Sequence, residues 1–279
     1  IGISMIVLSV LIYLPKSVIA AIGLLMIGLH NLLDSIRVAG WRGPGTPTPA
    51  LSDKLWIFLH QAFSAFPVLG DNTPVIAVIY PLVPWVGVMA VGYAFGALYQ
   101  LDAQRRRRLL LIIGGVATAL FIAIRAINIY GDPSRWSQQK NLVFTVLSFL
   151  NTTKYPPSLL FLLMTLGPSI LALAWFEAKE FGGAIRNFFV TFGRVPLFFY
   201  LLQWYTAHSI SILLHLAFGK PASWLWRSPV DFGQSPAGIG FNLVVVYLVW
   251  IAGVLLLYPL CKWFAGVKQR RGDWWLSYL

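Results

Sequence analysis

The sequence has 279 residues, 58% of them hydrophobic and only 11% charged, against roughly 25% charged in soluble domains. Mean hydropathy is +0.74 and the formal net charge is +12. This composition excludes an ordinary water-soluble domain, and a lone cysteine, Cys261, excludes an intramolecular disulfide.

A spanning helix needs about 20 mostly apolar residues. Seven stretches meet or approach that length: Ile1–Leu14, Ser17–Leu33, Pro74–Leu101, Leu109–Tyr130, Pro156–Phe176, Val195–Phe218 and Gly238–Cys261. The expected fold is an all-α, polytopic transmembrane helical bundle with seven spanning helices, forming a single membrane domain over 1–279. The first stretch opens inside an apolar run, without an initiator Met or a basic n-region. The sequence therefore reads as a fragment whose N-terminal helices are missing.

Between the second and third stretches lies a Gly/Pro-rich loop, 34–53, followed by Lys54–Leu69. There Leu55, Phe58, Leu59, Phe63 and Phe66 fall on one helical face. This piece is too short to span and is expected to lie in the interface, as is Leu142–Leu150 in a second outer loop. The third stretch carries Tyr80-Pro81, Pro84-Trp85 and a Gly92-x-x-x-Gly96 spacing, which predicts close approach of another helix.

Assigned alternately to the two sides, the loop charges separate. Lys16, Arg105 to Arg108, Lys179, Arg186, Arg194, Lys262, Lys268, Arg270 and Arg271 fall on one side. Arg37, Arg42, Lys54, Arg135, Lys140, Lys154, Lys220 and Arg227 fall on the other, in longer loops. The short Asp102–Arg108 loop and the C-terminal tail are the densest basic stretches, so their side is cytoplasmic by the positive-inside rule. The positive charge is thus read as anchoring to a lipid bilayer, and no nucleic-acid partner is expected.

Four polar clusters stand out. His30 and Asp34 are four residues apart, on one side of a helical turn. A carboxylate beside an imidazole makes a general base, although from spacing alone ordinary polar capping at the membrane surface is the better fit. Arg125 aligns with Asn128 and Asp132 along one face. If buried, Arg125 must face the bundle and find an acceptor, the alternative being snorkelling to the surface. Asp132 before Pro133 also suits a plain turn. The run Ser148–Ser158 places Asn151, Lys154 and Tyr155 at the outer surface, with Pro156-Pro157 suited to a first helical turn. Arg194 opens the sixth apolar stretch, where the helix dipole disfavours a cation, so a lipid, carboxylate or ligand-phosphate partner is expected. No metal-ligand spacing, nucleotide-binding glycine loop or nucleophile elbow is present, and no metal is expected.

Five motifs follow one another in a fixed order. They are His30-Asn-Leu-Leu-Asp34, Tyr80-Pro-x-x-Pro-Trp85, Arg125-x-x-Asn128-x-Tyr-Gly-Asp132-Pro, Ser148-Phe-Leu-Asn-x-x-Lys-Tyr-Pro-Pro-Ser158 and Phe192-Gly-Arg-Val-Pro-Leu-Phe-Phe-Tyr200. This order resembles the bacterial membrane proteins grouped with the catalytic domain of heparan-α-glucosaminide N-acetyltransferase, within a wider superfamily of integral-membrane acyltransferases. The resemblance implies about ten helices in the whole protein. It also implies transfer of an acyl group, acetyl foremost, from cytoplasmic acyl-CoA to an outward-facing sugar or similar acceptor. It puts the family's chemistry-bearing histidine N-terminal to this sequence, which leaves the catalytic residue unassigned. His30, Asp34, Arg125, Asn128, Asp132, Asn151 and Lys154 are then substrate-binding candidates, and Arg194 a candidate for acyl-CoA. No permanently bound cofactor is implied. The partners would be the bilayer, a small-molecule acceptor and, as an option, a second copy of the chain. The location would be a bacterial inner membrane with the C-terminus in the cytoplasm. A transporter or flippase without acyl-transfer chemistry fits a mid-membrane Arg125 and a proline-bearing third helix as well.

Overall fold

The computed structural model describes residues 1–70, 73–178, 182–226 and 238–278. Lys179 and Arg227, counted above among the loop charges, lie outside the described residues. The chain packs as two compact units, Ile1–Glu180 and Phe181–Leu279.

The first unit contains α1 (Gly2–Leu11), α2 (Lys16–Leu29), α3 (Leu51–Leu59), α4 (Leu82–Phe95), α5 (Ala103–Ile127), α6 (Leu142–Leu150) and α7 (Leu159–Ala178). A 3-10 turn, His30–Leu33, prolongs α2, and another, Gly96–Gln100, prolongs α4. With these extensions, α2, α4, α5 and α7 are each long and apolar enough to cross a membrane. Their outward faces carry Leu24, Leu25, Ile112, Val116, Leu120 and Ile122, all exposed, a surface suited to lipid rather than water. The first apolar stretch instead forms only the ten-residue α1, so six long apolar helices occur among the described residues, against seven expected spans.

Small residues set the closest packing. Backbones of α5 and α7 meet at Gly114 and Gly167, where a Cβ on Gly167 would lie 2.9 Å from the Thr118 backbone nitrogen. α2 and α4 meet at Gly23 and Gly87, where a Cβ on Gly23 would sit 2.8 Å from the Gly87 carbonyl. Gly92 and Gly96 have open space beside them, so the expected glycine pair is not the packing surface. The side of α4 that faces α2 is one turn nearer its start.

Two further expectations are corrected. The apolar run after Pro74 does not begin a helix. Val75–Val78 is strand β2, paired antiparallel with β1 (Ser64–Pro67) in register Ser64↔Val78 and Pro67↔Val75. This small hairpin is an exception in an otherwise helical chain. Arg105 to Arg108 are not in a loop but in the first turns of α5. Asp102 caps that helix by accepting from the Arg105 N–H at 2.9 Å. Arg106 pairs with Glu177 of α7, which offsets part of the unfavourable placement of cations at a helix N-terminus.

The second unit contains α8 (Gly183–Arg194), α9 (Pro196–Ala217) and α10 (Leu243–Arg270), with 3-10 turns at Ser223–Trp226 and Trp274–Tyr278. α9 and α10 are long and apolar enough to span. Val195, Cys261, Phe264, Ala265 and Leu276 form the core of this unit, with Phe198 stacked on Phe264 at 4.2 Å between centroids. α10 runs nine residues past the expected end at Cys261, so Lys262, Lys268 and Arg270 are helical rather than part of a tail. Lys268 and Arg270 fall in the last turn, where cations suit the dipole.

Candidate functional site

The site builds up from α3. Its apolar face buries Ile57 completely, together with Phe66 and Val78 of the hairpin, with Val38 and Phe58 packed against them. That packing holds the end of α3 against the loop that follows α2. Gln61 fastens the two further. Its amide donates to the Val38 carbonyl (2.9 Å) and the Ser64 hydroxyl (2.7 Å), and its oxygen accepts from the Val38 N–H (3.0 Å). The Trp56 indole donates to the Ile36 carbonyl at 3.0 Å. His60 is the first residue after α3, its N–H still bonded to the Trp56 carbonyl at 2.9 Å.

These constraints bring His60 onto Asp34. His60 Nε2 lies 3.1 Å from Asp34 Oδ1, and the other carboxylate oxygen accepts from the Asn31 amide at 2.7 Å. Asn31 is itself held by the Leu159 N–H, which donates to its Oδ1 at 2.9 Å. His30 completes the group, with its ring centroid 5.6 Å from that of His60. Both histidines are buried, at 2% and 4% exposure. Among the described residues, Nδ1 of His60 has no hydrogen-bond partner, and the one backbone group within reach of the His30 ring is that of Pro157, which leaves at least one of its nitrogens unmet. One donor atom from each of His30, Asp34 and His60 lies within 4.8 Å of the others. Asp34 thus bonds His60 rather than the expected His30, which lies within 4.8 Å without a hydrogen bond to it. His60 was not singled out in the sequence, because its 26-residue separation from Asp34 matches no motif. Its one signal is a polar residue directly after an apolar helical face.

Asp34 and His60 open onto a cavity of about 300 Å³ that is also lined by Arg37, Ser64, Thr153 and Tyr155. Tyr155 stacks edge-on with Phe63 and with Tyr80, both at 5.4 Å. The Tyr80 hydroxyl at 3.5 Å and the neighbouring Lys154 pull the Tyr155 pKa below its ordinary value. Nearby, burial and then the negative charge of Asp34 push the Tyr130 pKa up. The Tyr130 hydroxyl donates to the Gly28 carbonyl.

Arg125, Asn128 and Asp132 sit beside this cavity but are fully engaged in holding its wall. Arg125 is 1% exposed. It donates to the carbonyls of Phe149 (2.9 Å), Ser134 (2.8 Å), Ser148 (3.1 Å) and Asn151 (2.7 Å). Ser148 and Phe149 end α6, so the guanidinium satisfies carbonyls that a helix terminus leaves open. It does not snorkel, and among the described residues it forms no ion pair with a carboxylate. Asn128 ends α5 in the left-handed conformation, φ 58°. Its side chain exchanges two hydrogen bonds with the Trp136 backbone, at 2.9 and 3.2 Å. Asp132 accepts from the Ser134 N–H, the Thr153 N–H and hydroxyl, and the Ser158 hydroxyl, at 2.6–2.9 Å. It thereby fixes Thr153 in the cavity wall. Asn151 caps α6 through its N–H, which donates to the Ser148 carbonyl at 3.3 Å, while its own carbonyl accepts from Arg125. Lys154 is exposed, 5.2 Å from the Tyr155 ring centre. Pro156 and Pro157 precede α7 rather than form its first turn, and the Tyr155–Pro156 bond is cis.

In the second unit, Arg194 ends α8 instead of opening a spanning helix, and as a last-turn cation it suits the dipole. With Asn187, Thr191, Lys262 and Gln269 it lines a cleft of about 560 Å³. A smaller, more apolar groove between α9 and α10, about 400 Å³, is lined by Phe199, Trp204, Val249 and Trp250, with Gln203 and Thr206 among its few polar groups. Its lining holds no titratable acid or base, so the chemistry is sought at the histidine cluster.

Residues 1–131 match the family described as heparan-alpha-glucosaminide N-acetyltransferase, catalytic. Over these residues the chain is like that catalytic domain, which suggests a membrane acetyltransferase-like function. The match contains His30, Asp34, His60, Arg125 and Asn128, and stops short of Asp132, Asn151, Lys154 and Arg194. No curated protein and no solved structure matches the chain.

Proposed function

We propose that this chain, like the heparan-α-glucosaminide N-acetyltransferase catalytic domain over its first 131 residues, is part of an integral-membrane acyltransferase. It would carry an acyl group, acetyl in the first instance, from cytoplasmic acyl-CoA to an outward-facing sugar or similar acceptor. The observation that carries this reading is the placement of opposite chemistries at the two ends of α5. Arg105 to Arg108 crowd its start, and the polar cavity with Asp34, His60, Thr153 and Tyr155 adjoins the segments fixed by its end. A 25-residue helix is about 37 Å long, enough to put the two ends on opposite membrane faces. The basic end suits the phosphates of acyl-CoA. The cavity suits a sugar, offering hydroxyl and imidazole groups beside aromatic faces. Arg194 and Lys262 make a second candidate for the acyl-CoA phosphates. Location in a bacterial inner membrane with the C-terminus in the cytoplasm belongs to the same proposal.

Arg125, the residue that spoke most for a transport path, has its donors committed to main-chain carbonyls, which favours chemistry at the cavity over translocation. The test uses purified full-length protein in lipid nanodiscs, labelled acetyl-CoA and a panel of amino sugars. Labelled, covalently acetylated sugar is expected, with His60→Gln and Asp34→Asn losing most of the rate and Lys154→Ala losing little. Absence of transfer to every sugar, together with uptake of unmodified sugar into liposomes, would replace this reading with transport.

A further inference from the structure

We infer that His30, Asp34 and His60 form a binding site for a divalent first-row transition ion of the zinc type. Two nitrogens and one carboxylate oxygen are a donor set that such ions take, with a fourth position left for a substrate group. The separation of His60 Nε2 and Asp34 Oδ1, 3.1 Å, is close to the ~3.3 Å expected between neighbouring ligands at tetrahedral zinc. The third donor lies within 4.8 Å of the other two, so His30 has to move by at most about 1.5 Å to reach that spacing.

An independent observation points to a ligand. His30 is 2% exposed, and even with the Pro157 backbone within reach of one ring nitrogen the other has no hydrogen-bond partner among the described residues, whereas buried polar atoms are ordinarily satisfied. A bound cation would use that nitrogen's lone pair. The surroundings also fit. The Asn31 amide holds Asp34 Oδ2 at 2.7 Å, as outer-shell partners of ligating carboxylates do, while Oδ1 meets His60 Nε2 at 3.1 Å, a bond that an ion held by both atoms would replace. Because Asp34 and His60 both line the 300 Å³ cavity, the fourth position of the ion faces it. Resting on the reading of that cavity as the acceptor site, the ion would hold and polarise an acceptor hydroxyl or amine there.

The experiment reads metal rather than activity. Full-length protein in detergent is stripped with a chelator and dialysed against zinc or cobalt(II), and metal content is measured by mass spectrometry. Stoichiometric zinc is expected, with the visible bands of tetrahedral cobalt in the cobalt form. His60→Gln and Asp34→Asn should abolish both, whereas Asn31→Ala should weaken zinc binding about 10–100-fold and Lys154→Ala should leave it unchanged. Failure of the stripped wild-type protein to take up stoichiometric zinc or cobalt overturns the site, whether or not the variants fold. Acyl transfer unaffected by stripping overturns the ion's role in holding the acceptor while leaving the acyltransferase reading intact. Metal binding without acyl transfer supports the site and counts against that reading alone.

Discussion

Replacement of Arg125 tests whether this residue holds the fold or serves a substrate. Its guanidinium is 1% exposed and makes four bonds, to the carbonyls of Ser134, Ser148, Phe149 and Asn151. Bonds from a charged donor contribute about 1.5–3 kcal/mol each, a gross ceiling of about 6–12 kcal/mol. Arg125→Ala does not lose all of that, because Ser134 and Asn151 are exposed and can turn to water. The half-buried Ser148 and Phe149 remain. Two carbonyls left unmet cost about 1–3 kcal/mol each, so the loss is about 2–6 kcal/mol. At about 2–4 °C per kcal/mol for chains approaching this size, a midpoint of about 4 kcal/mol lowers the melting temperature by about 10 °C. Arg125→Lys keeps the charge but not the planar fork and should lose about half as much. Arg135→Ala, at an exposed loop position, should stay within about 0.5 kcal/mol of wild type. Tryptophan fluorescence and circular dichroism of detergent-solubilised protein during heating provide the measurement. Equal melting of Arg125→Ala and Arg135→Ala, with acyl transfer lost only in the former, would refute the structural role and return Arg125 to the substrate.

Glycine packing gives a paired expectation from the same melting assay. Gly167→Ala puts a methyl group against the α5 backbone and should cost about 1–3 kcal/mol, while Gly92→Ala meets open space and should gain up to about 1 kcal/mol from helix propensity. Tyr130 supplies a pH dependence, because burial and Asp34 raise its pKa above the ordinary value near 10. The folded state therefore favours the protonated phenol; this contribution is complete below the unfolded-state pKa and is lost as pH rises through the folded one. Tyr130→Phe should melt below wild type at neutral pH, and the gap should narrow above about pH 10; a gap of constant size would show that the phenol has the same pKa in the folded and unfolded states.

The long helices were legible because length and hydrophobicity alone decide them in a bilayer. Ser17–Leu33 and Val195–Phe218 differ from the observed spans, Lys16–Leu33 and Pro196–Ala217, by at most one residue at each end. The hairpin was not, since Val75–Val78 reads as the start of the apolar run that becomes α4, and its strand character comes from pairing with Ser64–Pro67. α8 was missed because it carries mixed polar and aromatic residues rather than an unbroken apolar run. At the site, the sequence grouped His30, Asp34, Arg125, Asn128, Asp132, Asn151 and Lys154 as substrate-binding candidates. It assigned them one common role, and their hydrogen bonds divide them into an open cluster and an anchored wall, with Lys154 exposed and in neither. A buried arginine requires an acceptor, but sequence displays side chains, and the acceptors are carbonyls common to every residue. His60 needed the whole turn of chain from Asp34 through α3 to come into place.

That choice of acceptors has an evolutionary consequence. Arg125 binds Ser134, Ser148, Phe149 and Asn151 through their carbonyl oxygens, so the identities of those four side chains are free with respect to this anchor. The segment from 134 to 151 can drift in sequence, and acquire new surface contacts or new charge, while its path stays tied to one guanidinium. Arg125 itself has no such latitude, since no other side chain offers that many donors in one plane. Among homologues, variation should be wide along that loop and nearly absent at the single residue that holds it.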